Sequence, residues 1–197
     1  MFVLDILKIV ISRTHNLIAF ASLLTATVYF SPVDLTATTM IVALVANSVG
    51  SLMPDLDQAT NKIWDMLPLG DSVGKFLSNM LFGHRSLSHS FIGMFGVYKL
   101  VYWLFPMIFN SMYINYQLVC VSLLIGYYSH IVADGLTEEG VPLLYPIKIK
   151  FGFPPIKSWR IKTDHWFEKL VITPSLVVFI FWFTLSNWGK LFGGLRY

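Results

Sequence analysis

The chain has 197 residues, 55% of them hydrophobic and only 13% charged, with a formal net charge of +3, where a soluble domain carries about 25% charged residues. A mean hydropathy of +0.65 with several long apolar runs excludes an ordinary soluble domain and a disordered chain, and the length suits a single membrane-embedded domain over 1–197. The single cysteine, Cys120, excludes an intramolecular disulfide framework and a thiolate-rich zinc site; inside an apolar run, it reads as inert packing.

Met1 to Ser12 is apolar, interrupted by Asp5 and Lys8. It lacks a basic leader and a small-x-small cleavage pattern, so it reads as retained rather than as a signal peptide. A spanning helix needs about 20 mostly apolar residues, and candidates follow at Asn16 to Phe30, Leu35 to Met53, Phe91 to Phe109, Tyr116 to Ala133 and Leu170 to Trp188; the first is short unless Ser12 to His15 belongs to it. The last carries Pro174 in its first turn, where proline costs little. No ten-residue alternation suggests a barrel. The sequence therefore predicts an all-α integral membrane bundle of about five transmembrane helices.

The connections differ in character. Ser31 to Asp34 and Asn110 to Asn115 are short and contain no Lys or Arg. Pro54 to Ser90 and Asp134 to Lys169 are long and hold most of the polar residues, including Lys62, Lys75 and Arg85 in one and Lys148, Lys150, Lys157, Arg160, Lys162 and Lys169 in the other. The positive-inside rule puts the N-terminus and both long loops in the cytoplasm. Lys190 and Arg196 depart from this bias, which a re-entrant or interfacial last segment would remove. Under this topology His15, Asp55, Asp57, His84, His89, His130, Asp134 and Glu168 all lie near one membrane face. They come from the ends of different helices, which predicts one convergent site. Lys99, in the middle of a helix, stands apart; it reads as snorkelling or paired with a neighbour.

The motifs carry the chemistry. His130 and Asp134 are one helical turn apart on a shared face, a spacing that suits two ligands of one divalent metal or of adjacent metals. The alternative is a hydrogen bond that satisfies two buried polar groups. Pro54-Asp55-Leu56-Asp57 follows a helix that proline ends. An extended segment there would point both carboxylates to one side, where they repel unless a cation lies between them; solvated acids at a helix end are the plain alternative. His84-Arg85-Ser86-Leu87-Ser88-His89-Ser90 is the most specific stretch. It fits His84 in a loop and His89 in a first helical turn with Ser86 as N-cap. Arg85, held beside the ligands, could clamp a phosphate bidentately. His15, where the first helix enters the membrane, alone reads as an interfacial histidine, and joins the ligand set through its company. Glu168 begins the last helix as ligand, general base or helix-dipole partner. His165, beside Trp166, reads as interfacial.

Four histidines and three aspartates exceed the three protein ligands of a catalytic zinc. They suit two or three zinc ions, with manganese or iron(II) compatible with the same donors. Paired metals activate water and clamp a phosphoryl group.

The set Thr14-His15, Pro54-Asp55-Leu56-Asp57, Gly83-His84-Arg85-Ser86-Leu87-Ser88-His89-Ser90, the stretch from Gly126 through His130 and Asp134 to Thr137, and Gly140 to Pro146 resembles the bacterial inner-membrane metal-dependent hydrolases, the YdjM-like family. The resemblance runs from His15 to about Glu168. Ser86 and Ser88 depart from the family's His-Arg-Gly-x-Thr-His-Ser, Asp164 stands where a glycine is usual, and extra residues precede His15; none removes a proposed ligand. The family is grouped with zinc-dependent phospholipase C and P1-type nucleases, and this implies multi-metal phosphoester hydrolysis.

Residues and resemblance together give a membrane-bound metal-dependent hydrolase at the cytoplasmic face of a bacterial inner membrane. It would cleave a phosphoester of a lipid or lipid-linked substrate. His15, Asp55, Asp57, His84, His89, His130 and Asp134 would hold metal, Asp57 or Glu168 would take a proton, and Arg85 would stabilise phosphoryl charge. Membrane lipids are the expected partners, drawn by the basic Lys148 to Lys162 loop at about 1 kcal/mol per charge; Gly152-Phe153-Pro154-Pro155 would make that loop an ordered turn. Nucleic acid is not expected as a partner. The rival is a non-catalytic metal-binding membrane protein: an ion carrier, a sensor or a stress-response scaffold.

Overall fold

The computed structural model describes residues 14–30, 35–57, 72, 74–75, 87–163 and 165–193; of Asp57 only the backbone is described. Helices make up the regular structure: α1 (Thr14–Phe30), α2 (Ala37–Leu52), α3 (Phe91–Ile108), α4 (Tyr116–Gly135), α5 (Thr173–Ser186) and the short α6 (Trp188–Phe192). Isolated β-bridges pair Thr137 with Ile161 and Val141 with Phe151. The chain is an integral membrane helical bundle. Among the described residues, four stretches are long and apolar enough to cross a bilayer: Ala37–Leu56, Phe91–Ile108, Tyr116–Gly135 and Glu168–Ser186. The expected first span is α1, whose 17 residues sit at the lower limit of a spanning helix, about 17 residues.

Local chemistry sets the helix starts. Thr36 caps α2 by accepting from Thr39 N at 3.1 Å, and Asn115 caps α4 by accepting from Leu118 N at 3.2 Å. These bonds satisfy amide groups that have no partner within the helix. Before α5, Glu168–Ile172 forms a π-helical turn. Pro174 at the start of α5 lacks an N–H and would push against the carbonyl four residues back; the wider turn makes room. The Thr173 hydroxyl then donates to Glu168 O at 3.0 Å.

Helix α4 is the axis of the bundle: 67% of its span is buried, against 6% for α3 and 6% for the Glu168–Ser186 span. It packs against α1, α2 and α3. Its fit to α2 depends on two glycines. A Cβ on Gly50 would lie 2.0 Å from Leu123 O, and one on Gly126 would lie 2.1 Å from Asn47 O. Backbones thus approach as they do at small-residue helix contacts in membranes, and Asn47 Nδ2 donates across the seam to Ser122 O at 3.0 Å. A cluster of Ala46, Val101, Val119, Cys120 and Leu123 ties α2, α3 and α4. A second cluster of Leu24, Val28, Phe183 and Leu191 holds α5 and α6 to α1. Cys120 is buried in the first cluster. Lys99 lies over the rings of Phe95 and Tyr98, 5.3 and 5.7 Å from their centroids, a pairing with neighbours on its own helix.

Two local expectations are overturned. The chain beyond α2 is not extended: Met53–Asp57 forms a 3-10 turn, because Pro54 near its start needs no N–H partner. The extended geometry on which the shared side of Asp55 and Asp57 rested is therefore absent; the Asp57 side chain lies outside the described residues. Nor does His89 lie in a helical turn capped by Ser86. Ser90 is the N-cap of α3, accepting from Gly93 N at 3.1 Å, and His89 precedes it in the turn where Ser90 N donates to Leu87 O; Ser86 itself lies outside the described residues. The 136–163 loop is ordered, as the Gly152 to Pro155 stretch suggests. Arg160 Nε donates to Pro154 O at 2.7 Å, and Phe153 N donates to Gly135 O at 2.8 Å.

Candidate metal centre

Two helices and two turns meet at one pole of the bundle. His15 is in the first turn of α1, Asp55 in the 3-10 turn after α2, His89 just before α3, and His130 and Asp134 in the last turns of α4. The tight α2–α4 seam at Gly126 carries Ser51 beside His130. Ser51 O is 2.6 Å from His130 Nδ1, and since a carbonyl can only accept, Nδ1 carries the proton.

In the neutral ring His130 Nε2 then presents a lone pair, the form that ligates metal. It faces Asp55 Oδ1 at 3.6 Å and Asp134 Oδ2 at 3.7 Å. It is buried and makes no hydrogen bond among the described residues. A lone pair aimed at two carboxylate oxygens is repulsive unless a cation sits among them. Around it, His15 Nε2 stands 3.0 Å from Asp134 Oδ1 and His89 Nε2 stands 3.1 Å from Asp134 Oδ2. The His15 and His130 rings are 4.3 Å apart and those of His89 and His130 5.6 Å. Two ligands of a tetrahedral ion at normal bond lengths are roughly 3.4 Å apart, so these spacings bracket those of a metal shell.

Among the described residues, two groups have the reach to hold an ion: His15, His130 and Asp134, and Asp55, His89 and His130, with ligand atoms within 4.8 Å of one another in each. His130 belongs to both. The donor set, neutral imidazole and carboxylate, fits a divalent metal.

An outer layer orients these ligands. Ser88 Oγ is 2.8 Å from His89 Nδ1, and Tyr127 Oη donates to Ser88 O. Ser51 Oγ bonds Asn16 Oδ1 and also donates to Ser48 O at 2.8 Å. Thr137 donates from its hydroxyl to Asp134 O at 2.8 Å, closing the end of α4. Such partners fix ring orientation and tautomer. Ser51 and Asn16 were not singled out from sequence, because a serine carbonyl and an asparagine in an apolar helix carry no spacing signal. Ser88 lies inside the motif, and its hydroxyl was the available clue.

The structure thus gathers His15, Asp55, His89, His130 and Asp134. His84 and Arg85 lie outside the described residues, as does the side chain of Asp57. Glu168 belongs to neither ligand group. Its carbonyl is linked to the site through Thr173, whose hydroxyl lies 3.2 Å from that of Thr14, next to His15. His165 is exposed, its ring tilted against that of Trp166 at 6.0 Å between centroids.

With this geometry in place, the chain can be compared with known proteins. It is 29% identical over 182 residues to YvsG of Bacillus subtilis (strain 168), covering 91% of this chain and 98% of that protein. It is 32% identical over 106 residues to the inner membrane protein YdjM of Escherichia coli (strain K12), and the match spans 52% of this chain and about half, 48%, of that protein. YdjM of Shigella flexneri gives the same figures. No solved structure matches the chain. The sequence signature of the YdjM inner membrane protein family covers residues 10–191, and the chain belongs to that family.

Proposed function

We propose that the protein is a metal-dependent hydrolase embedded in the bacterial inner membrane, cleaving a phosphoester of a lipid or lipid-linked substrate at the cytoplasmic face. The observation that carries this reading is the buried His130 Nε2, directed at Asp55 and Asp134 within a five-residue His/Asp cluster. His15, Asp55, His89, His130 and Asp134 would hold the metal, and Asp57 and His84 would complete the set. With Nδ1 committed to Ser51 O, His130 can serve one ion, while the two oxygens of Asp134, facing His15 and His89, could bridge a pair; a third would draw on His84. Zinc suits mixed His/Asp donors, with manganese or iron(II) as the other candidates. A divalent ion supplies Lewis acidity, activating water near neutral pH and neutralising charge on a phosphoryl group. Arg85 would bind a phosphoryl oxygen. Asp57 or Glu168 would accept the proton of the attacking water.

The lipid substrate is inferred from the surroundings. Ile147, Ile149, Phe153 and Trp159 are exposed and alternate with Lys148, Lys150 and Lys157 on the ordered loop at the same pole. Such a surface suits an anionic interface. The positive charge of both long loops supports a cytoplasmic position for this pole.

Purified protein in detergent should retain stoichiometric metal and release phosphate or head groups from lipids; His130→Ala and Asp134→Ala should lose both. Substoichiometric metal in the unsubstituted protein, with turnover unchanged in the variants, defeats the reading. One observation favours a second reading, a non-catalytic metal-binding protein. His89, His130 and Asp134 are 0, 2 and 1% exposed, as at a closed structural site. Full metal content without turnover on any phosphoester would select it.

A further inference from the structure

Helices α1 and α4 carry clustered ligands and α2 leads into the turn that holds Asp55, and these three helices enclose an apolar cleft at the other end of the bundle. Its volume is about 460 Å³, within the range of ligand pockets, roughly 300–1,000 Å³. Leu24 and Thr27 of α1, Ala43 of α2, and Val121 and Ile125 of α4 line it, with Phe192 of α6 as a further wall. The bundle is pinched at the cluster end, where Gly50 and Gly126 bring α2 and α4 into backbone contact. Farther along, small side chains at Ala26, Ala43 and Ser122 leave the helices without a filling between them. Helix α6 folds back beneath α5, anchored by Asn187 Nδ2 donating to Phe183 O at 2.9 Å, and adds Leu191 and Phe192 to the enclosure.

We infer that this cleft binds one long acyl chain of the lipid whose head group lies at the His/Asp cluster; the inference rests on the hydrolase reading above. An apolar cavity of this kind stays dry, and at this depth in a bilayer the surrounding medium is hydrocarbon. Direction and length agree with one chain. Phe20 and Ile125, at the near rim, are each five residues from a ligand, His15 and His130, which is about 7.5 Å at 1.5 Å per residue. The cleft then follows α1 from Phe20 to Phe30, a further 15 Å or about that. A chain of roughly 22 Å descending from the cluster would fill it, so the cleft sets a preference for long chains over short ones.

The test uses the full chain in nanodiscs of phosphatidylglycerol that bears a mid-chain diazirine. After photolysis, adducts should concentrate on the cleft-lining segments of α1, α2 and α4 rather than on the exposed outer faces of α3 and α5. Val121→Trp fills the cleft from a position that is 42% exposed, and Ala26→Trp fills it from α1; both should lower this labelling several-fold. Even labelling over all helices, or labelling unchanged in both variants, overturns the inference. Hydrolysis gives the second arm, with dioleoyl and dibutanoyl forms of the same lipid. Val121→Trp should impair cleavage of the long-chain form and spare the short one; equal effects on both overturn the link to the cluster. If the unsubstituted protein cleaves neither form, the hydrolase reading fails, and the labelling still decides the cleft.

Discussion

At the scale of single residues, the centre depends on which nitrogen of each histidine is free. Ser51 O fixes the His130 tautomer, and Ser88 Oγ, 2.8 Å from Nδ1, holds His89. Partners of this kind are worth about 10–100-fold in metal affinity. Ser88→Ala should therefore weaken metal binding by about that factor while leaving the fold intact, as measured by competition with a chromogenic chelator. Asp134→Asn is the harsher change. Its carboxylate faces His15, His89 and His130, and replacing one oxygen by an NH₂ donor removes a ligand atom and the negative charge. The variant should be isolated without metal, as elemental analysis would show; full metal content would exclude Asp134 as a ligand. Lys99 presents the opposite case. Its ammonium rests over Phe95 and Tyr98 on the exposed side of α3. Lys99→Leu should favour insertion of this helix by about 2.5–3.5 kcal/mol in a translocon assay without changing metal content.

At the scale of elements, the α2–α4 seam determines whether the ligands meet. Adding a methyl group at Gly126 or Gly50 meets backbone atoms at 2.1 and 2.0 Å, which side-chain rotation cannot relieve. Overpacking of this sort costs about 1–3 kcal/mol, so Gly126→Ala should lower Tm in detergent and release metal together. Gly96→Ala is the control, since nothing lies within 4 Å of its Cβ; it should leave both unchanged. The start of α3 gives a milder test. Ser90→Ala removes the cap on Gly93 N and should cost about 1 kcal/mol, with His89 shifting because it sits in the adjoining turn. The sequence allowed the existence of these elements to be read, but not two of their local geometries. Asp-x-Asp after proline fits an extended segment and a 3-10 turn equally. Ser86 and Ser90 are both sound caps, and the choice between them depended on Tyr127 bonding Ser88 O and on Phe91 N donating to Leu143 O. Both contacts come from other parts of the chain.

At the scale of the whole molecule, metal and fold should be coupled, because the ligands come from separate helices and close one pole of the bundle. Saturating metal at a thousandfold excess over Kd would add about 4 kcal/mol; chelation should lower Tm, and restoring the metal should reverse the loss. Orientation can be checked with single cysteines at Lys148 and Trp159. A membrane-impermeant maleimide should label them in inverted vesicles and not in intact spheroplasts; labelling of intact spheroplasts would place the cluster on the outer side. The sequence by itself determined the apolar segments, the pairing of His130 with Asp134 on one helix face, and the histidines and aspartates at helix ends, because hydropathy and helical periodicity act over neighbouring residues. The tertiary structure decided that His130 is shared between two ligand groups, that Asp134 faces histidines from three elements, and that a serine carbonyl selects the tautomer. It also decided that the same helices part into a cleft. Those outcomes depend on how close two helices can approach and how each is rotated against its neighbour. Gly50 and Gly126 set that through contacts with backbone far along the chain, which no local pattern records.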